Sequence, residues 1–280
     1  MKKVLIIVNT GKKESVALSV QINDFLQTQK IVSDIINFDG KKIDVDFSKY
    51  SFIVTLGGDG TVLFAARGAV EYGIPIFPVN LGQFGFIASV EPSNWKKPLE
   101  TFLAGKAFYE ERSMQKIQVK RNDKIIFEAL ALNDSVICAS KITSTVLLDV
   151  NYDNLPLCHL KADGIIVSTP TGSTAYSAAA GGPIVDTHLD AFVMTPINSF
   201  SLSGRPIVLS TDGLLSISIA NSRAKEMSLT VDGQKPFPLC IKDEIIITKF
   251  SKKVKLIFAC RERFYNALRS KLNWLGGPYA

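Results

Sequence analysis

The sequence predicts an α/β N-terminal domain, doubly wound around a mostly parallel sheet, followed by an all-β, sandwich-like second domain. Three observations carry this expectation. Up to about residue 100, apolar strand-like runs alternate with helical stretches. Beyond that point short β-rich runs, punctuated by Asp, Asn, Gly and Pro, take over. The length of 280 residues, at roughly 150 per domain, leaves room for about two domains.

Val4–Val8 is a continuous apolar run, as in a strand buried on both faces. It follows two lysines and so resembles the start of a signal peptide. The run ends at Asn9, too soon for an h-region, and is read as the first buried strand. A helix carrying Val16, Leu18, Val20, Ile22 and Phe25 comes next, then a short strand at Ile35–Phe38. Phe52–Leu56 is the third strand and runs directly into Gly57-Gly58-Asp59-Gly60. A helix over Thr61–Tyr72 and a strand over Ile74–Val79 complete a Rossmann-like β-α-β-α-β pattern. The second domain is predicted from runs at Met114–Val119, Ile125–Ala131, Ser135–Cys138, Thr145–Val150, Gly164–Ser168, Leu214–Ile219, Met227–Val231 and Glu244–Thr248. Helical spacing there is confined to the neighbourhood of Ala175–Ala180. Val254–Ala259 reads as one more strand. Arg263–Leu272 reads as a helix with Phe264, Ala267, Leu268 and Leu272 on one face, packing back onto the first domain.

A content of 46% hydrophobic and 21% charged residues excludes a wholly disordered chain, and 19 glycines with 12 prolines exclude a collagen-like one. No segment approaches the ~18 consecutive apolar residues of a membrane span. The net charge of +6 calls for acidic partners: nucleic acid, an anionic membrane or phosphorylated small molecules. The lysines stand scattered or in doublets such as Lys12-Lys13 and Lys41-Lys42, without a basic helix, so neither nucleic acid nor membrane is expected. The four cysteines, Cys138, Cys158, Cys240 and Cys260, form no C-x-x-C pair, and the only histidines are His159 and His188. No metal site is expected from that spacing, and reduced thiols in the cytoplasm are.

Four segments carry chemistry. Gly57-Gly58-Asp59-Gly60-Thr61 closes a strand, where glycines let a phosphate approach the backbone and the next helix offers free N–H groups. The plain alternative is a strand-to-helix turn capped by Asp59. No lysine follows as a P-loop requires, and Leu63 stands where G-x-G-x-x-G needs glycine. Asp163–Ser177 ends a strand in a hydroxyl-rich turn shaped by Pro170 and Gly172; a helix begins near Thr174 and ends at Gly181-Gly182-Pro183. It is a phosphate or ribose site, or a surface loop with ordinary caps. Asn133-Asp134 lies between two strands as a turn or as a ligand-holding pair. Asn80–Phe86, with Gly82, Phe84, Gly85 and Phe86, is a binding loop, a hinge or simple packing.

Taken in order, GGDGT at Gly57–Thr61, Asn133-Asp134, DGIIVSTPTGSTAYS at Asp163–Ser177 running into Ala180–Ile184, and DGQ at Asp232–Gln234 resemble the NAD kinase family. The resemblance spans most of the chain; GGDG by itself is shared with lipid-type and phosphofructokinase-like kinases. It implies transfer of the γ-phosphate of ATP to the 2′-hydroxyl of the adenosine ribose of NAD, giving NADP. It implies Asp59 as general base, with Gly57, Gly58, Gly60 and Thr61 as the phosphate loop. It implies dinucleotide contacts from Asp59, Gly60, Asn133, Asp134, Lys161 and Asp163. It extends those contacts to Thr174, Ala175, Tyr176, Ser177, Ala178, Ala179 and Gln234. The acid at position 134 is aspartate where the family often carries the longer glutamate. Mg²⁺ is the implied metal, with polyphosphate open as a second donor. Also implied is a homo-oligomer, dimer or tetramer, whose subunits share active sites. The domain limits that follow are 1–100 with 254–280 for the α/β domain and 101–253 for the NAD-binding sandwich.

Overall fold

The computed structural model describes residues 3–41, 43–82, 85–141, 144–220 and 226–272. Gln83 and Phe84 of the anticipated binding loop, Lys42 and the last residues of the C-terminal stretch lie outside them. The chain separates into two compact units, 1–112 with 252–280, and 113–251.

The first unit begins β1 (Lys3–Asn9), α1 (Lys13–Thr28), β2 (Val32–Phe38), β3 (Phe52–Gly57), α2 (Asp59–Ala69), β4 (Ile76–Asn80), α3 (Lys96–Leu103) and β5 (Tyr109–Arg112). Val4, Ile6 and Val8 pack with Leu18, Ile22 and Leu26 of α1, with Phe52, Val54 and Leu56 of β3, and with Leu99 of α3. The alternate positions Leu5, Ile7 and Ile53 are equally buried on the opposite face. Burial on both faces is why these strands read as unbroken apolar runs. In α1 the buried stripe is Leu18–Ile22–Leu26, spaced i, i+4, i+8, whereas Val16 and Val20 are half exposed. α3 has no counterpart in the sequence reading: it contributes one fully buried side chain, Leu99, to the core.

The second unit contains β6 (Gln115–Arg121), β7 (Lys124–Ala131), β8 (Asp134–Ala139), β9 (Val146–Tyr152), β10 (Leu155–Ala162), β11 (Gly164–Ser168), the single helical turn α4 (Tyr176–Ala179), β12 (Ala191–Ile197), β13 (Ile207–Ser210), β14 (Leu215–Ile219), β15 (Met227–Val231), β16 (Phe237–Leu239) and β17 (Glu244–Lys249). They form two antiparallel six-stranded sheets, ordered β10-β9-β14-β17-β6-β7 and β13-β12-β11-β8-β15-β16. One core joins alternate residues of both, among them Ile117, Leu148, Ile217 and Ile245 from the first sheet and Ile165, Val167, Phe192 and Leu229 from the second. Two hairpins close through two-residue turns with positive φ, Asn122-Asp123 and Asp153-Asn154.

The chain then returns as β18 (Val254–Ile257) and α5 (Arg261–Leu272). β18 pairs parallel to β4 and antiparallel to β5, so the first unit's sheet runs β2-β1-β3-β4-β18-β5. This pairing explains why Tyr109–Arg112 belongs to the first unit. On α5 Phe264 and Leu268 are buried, while Leu272, expected on the same face, is 40% exposed.

Candidate active site

In the first unit, Asn9, Gly57 and Asn80 end three adjacent parallel strands, with Gly57 and Asn80 in register. This carboxyl edge is where open α/β sheets bind ligands. The Asn9 and Asn80 side chains organise it locally. Asn80 Oδ1 accepts from the Gly82 N–H at 2.9 Å, and Asn9 Nδ2 reaches Thr61 Oγ1 at 3.5 Å. A Cβ on Gly57 would sit 2.2 Å from Thr61 Oγ1, so the turn closes only on glycine. Gly57 and Thr61 are buried and form the interior of the turn, whereas Gly58 is half-buried and Gly60 exposed.

Helix α2 starts at Asp59, two residues before the predicted start, because Gly58 takes the N-cap position. The Asp59 carboxylate accepts three backbone N–H bonds: Oδ2 from Phe86 at 2.8 Å, Oδ1 from Ile87 at 3.3 Å and from Ala88 at 3.2 Å. It caps the loop after β4 rather than its own helix. Burial pushes this carboxyl above the ordinary aspartate range, while the three N–H groups and the Lys271 ammonium pull it down. Gly85 must be glycine here, since its Cβ would lie 2.7 Å from Asp59 Oδ1.

In the second unit the pair Asn133-Asp134 opens β8 and is held by a residue with no assigned role in the sequence reading, Asp232. Asp232 sits at φ +47° just past β15. Its Oδ1 accepts from the N–H groups of Asn133 at 2.8 Å and Asp134 at 3.3 Å, and its Oδ2 from Leu132 at 3.1 Å. The signal for it was the DGQ triplet, read only through Gln234, whose Nε2 bonds the Asp232 carbonyl at 3.4 Å. The Asn133 Oδ1 is buried without a partner among the described residues. Asp134 is 6% exposed, and its carboxyl makes no hydrogen bond among the described residues. Burial and the neighbouring Asp232 carboxylate push it up to about 7. The orphaned oxygens, one amide and one carboxyl, are a ready acceptor set for hydroxyl or amine donors.

The hydroxyl-rich stretch folds against this pair. Thr169 donates from N to Asn133 O at 2.8 Å and from Oγ1 to Leu132 O at 2.5 Å. A Cβ on Gly172 would lie 2.1 Å from the Asn133 carbonyl oxygen, so that approach requires glycine. Most of its hydroxyls are turned inward. Ser173 Oγ bonds Pro170 O at 2.7 Å, and Ser177 Oγ meets Thr195 Oγ1 at 2.9 Å. Hydroxyl density therefore stitches the loop to itself, since buried polar groups demand partners. Thr174, Ala175, Tyr176, Ala178 and Ala179 remain accessible, and Ser177 does not. The anticipated helix is one turn long, ended at Gly181 and Gly182.

Lys161 and Asp163 are not brought to this group within one chain. Ser168 pairs with Asp134, whereas Gly164 pairs with Cys138 at the other end of the strands. At ~3.3 Å per residue that is roughly 15 Å away. There Asp163 Oδ2 accepts from Asn198 Nδ2 at 2.9 Å, and Lys161 Nζ lies 4.3 Å from the centre of the exposed Phe200 ring.

Among the described residues no three His, Cys, Asp or Glu side chains converge as a metal site, and no helix is long and apolar enough to cross a membrane. His159 and His188 are exposed, beside Asp149 and Asp186 respectively.

A glycine-rich turn at the carboxyl edge of a parallel sheet, with a clamped carboxylate, defines a nucleotide-binding α/β protein. Comparison with known proteins narrows the class. Residues 41–107 match the ATP-NAD kinase N-terminal domain and residues 132–259 the ATP-NAD kinase C-terminal domain. The NAD kinase of Treponema denticola is 44% identical over 99% of this chain and 98% of its own. That of Treponema pallidum is 42% identical over 99% and 92%. The chain belongs to the NAD kinase family. Two solved structures share its fold. A yeast NADH kinase complexed with NADH has a TM-score of 0.88 at 23% identity, over 99% of this chain and 89% of that one. An NAD kinase from Archaeoglobus fulgidus in complex with ATP has a TM-score of 0.79 at 24% identity, over 99% and 100%.

Proposed function

We propose that this protein transfers the γ-phosphoryl group of ATP to the 2′-hydroxyl of the adenosine ribose of NAD, producing NADP, with Asp59 as general base. The single observation that carries the residue assignment is the Asp59 carboxylate. It stands at the carboxyl edge of the sheet with both oxygens oriented by backbone donors and its proton affinity raised by burial. A base is most effective when its pKa approaches the working pH. As the new O–P bond forms, Asp59 takes the hydroxyl proton and the bond from the γ-phosphorus to ADP breaks; ADP leaves with that electron pair. Gly58 and Gly60 offer backbone on which phosphates can lie.

Dinucleotide binding is assigned to the second unit, through the orphaned Asn133 and Asp134 oxygens, Gln234 and the accessible positions between Thr174 and Ala179. Mg²⁺ would enter with the substrate as Mg-ATP and would offset the charge of the transferring phosphate. A coupled assay of NADP formation with NAD tests the reading. Turnover is expected with Mg-ATP; none with ATP, with or without polyphosphate as substitute, sinks it.

The separation of Lys161 and Asp163 from Asn133 supports an oligomer in which these residues complete a site on another copy. The edge strand β13, with Ile207 and Val208 exposed, offers an unpaired rim for assembly. Dimers or tetramers are expected in sedimentation; a monomer at all concentrations removes this part. Four free cysteines support a cytoplasmic location.

A further inference from the structure

The Asp59 carboxylate holds one side of the 85–89 segment through its N–H groups. The other side is held by α5. Lys271 Nζ donates to the Gly85 carbonyl and lies 5.7 Å from the centre of the Phe86 ring. Arg263 Nη1 donates to the Ser89 carbonyl at 2.5 Å. Phe264 meets Phe86 edge to face at 6.4 Å. Packing shares this holding, since Ile87 and Ala88 are themselves buried. A cavity of about 510 Å³ opens between the segment and α5, lined by Ile87, Ala88, Ala267 and Lys271 among others. Across that opening, the contacts from α5 to the segment include the two polar tethers and the Phe86–Phe264 pair.

Phe264, Leu268 and Lys271 fall at i, i+4 and i+7, so the lysine occupies the buried stripe of α5. A lysine on such a stripe needs a reason, because it desolvates an ammonium that an exposed position would leave in water. One plain reason, a cation near a helix C-terminus, is already served by Arg269 on the exposed side.

We propose that Lys271 is a positioning residue for the kinase reaction: it fixes the 85–88 backbone from behind, and through it the orientation and charge of Asp59. The proposal rests on the reading of Asp59 as general base. The Lys271 ammonium acts on the Asp59 carboxyl through its charge, pulling its proton affinity down. Removing the ammonium raises the proton affinity of Asp59, so the pH at which the base becomes active moves upward.

The test compares Lys271→Met, Lys271→Arg and Asp59→Asn as full-length chains. Lys271→Met is expected to lower kcat by about 10–100-fold, as misplacement of a reacting group does. KM for NAD is expected to change little, and the acidic limb of the kcat–pH profile to move to higher pH. Lys271→Arg restores most of kcat and returns the limb. Unchanged kcat in Lys271→Met overturns the proposal alone. So does a Lys271→Met chain that fails to fold by circular dichroism, or a loss of kcat with an unmoved limb and no rescue by arginine, since either marks a purely structural lysine. Full turnover in Asp59→Asn instead overturns the general-base reading, and this proposal with it.

Discussion

Asp59→Asn is expected to lower the rate of NADP formation by about 10²–10⁴-fold, the usual contribution of a positioned general base. The structure adds a second consequence that an isosteric view of the substitution misses. Both carboxylate oxygens are acceptors, Oδ2 for Phe86 and Oδ1 for Ile87 and Ala88. An amide offers only one. Keeping the two bonds at Oδ1 leaves the new NH₂ facing the Phe86 N–H, donor against donor, at a cost of about 1–3 kcal/mol. The 85–88 segment is thus expected to loosen, which urea unfolding or hydrogen exchange at Phe86 detects. Loss of the base and loss of the tether are separable. Without a titrating base, residual activity loses its acidic limb; a merely loosened loop keeps that limb. Turnover within a factor of a few of the parent, with the limb intact, removes Asp59 from the role.

Asp134→Asn is the second large expectation, and it acts in opposite directions on stability and on binding. Folded Asp134 holds its proton to about pH 7, against a model-compound value of 3.8, because burial and the Asp232 charge disfavour its ionised form. Between those two values the folded chain binds more protons than the unfolded one, so stability falls as pH rises. The contribution is fully present below the unfolded pKa and lost once pH passes the folded one. Replacing the acid by a neutral amide removes this loss. The variant is expected to be more stable than the parent at pH 8, by up to about 4 kcal/mol for a shift of roughly three units. Near pH 4 the two should be nearly equal. Urea unfolding at both pH values reads this directly, and a variant less stable than the parent at pH 8 contradicts the environment assigned to Asp134. If Asp134 receives a hydroxyl of NAD, the same variant should raise KM for NAD about tenfold or more. A site that binds more tightly at the cost of its own stability is the usual trade at functional positions.

The kinase turn, the hydroxyl-rich loop and the DGQ triplet were all legible in the chain, because each occupies a contiguous stretch whose residue types are set by local backbone demands. Gly57 shows this: it must lack a Cβ within a turn whose obstructing atom is four residues away. Most strands of both units were legible where apolar runs or strict alternation mark them, although the buried run of β12 (Ala191–Ile197) went unread. β10 was not legible either, since Leu155–Ala162 mixes Pro, Cys, His and Lys with largely exposed positions; its Asp153-Asn154 turn was the signal to follow. α3 escaped because only Leu99 of its eight residues is buried.

By itself, the sequence determined the family, the alternating and then β-rich architecture, and the Asp59 turn, all of which are local or periodic features of the chain. Only the tertiary structure decided what those residues touch. Asp59 is bound to a segment 27–29 positions away, Asp232 organises Asn133 and Asp134 across 98–100 positions, and Lys271 reaches Gly85 across 186. Hydrogen bonds over such separations leave no period and no spacing to read. They exist because strand order brings chain ends and loops together, and buried polar groups must then find partners among whatever the fold has placed within reach.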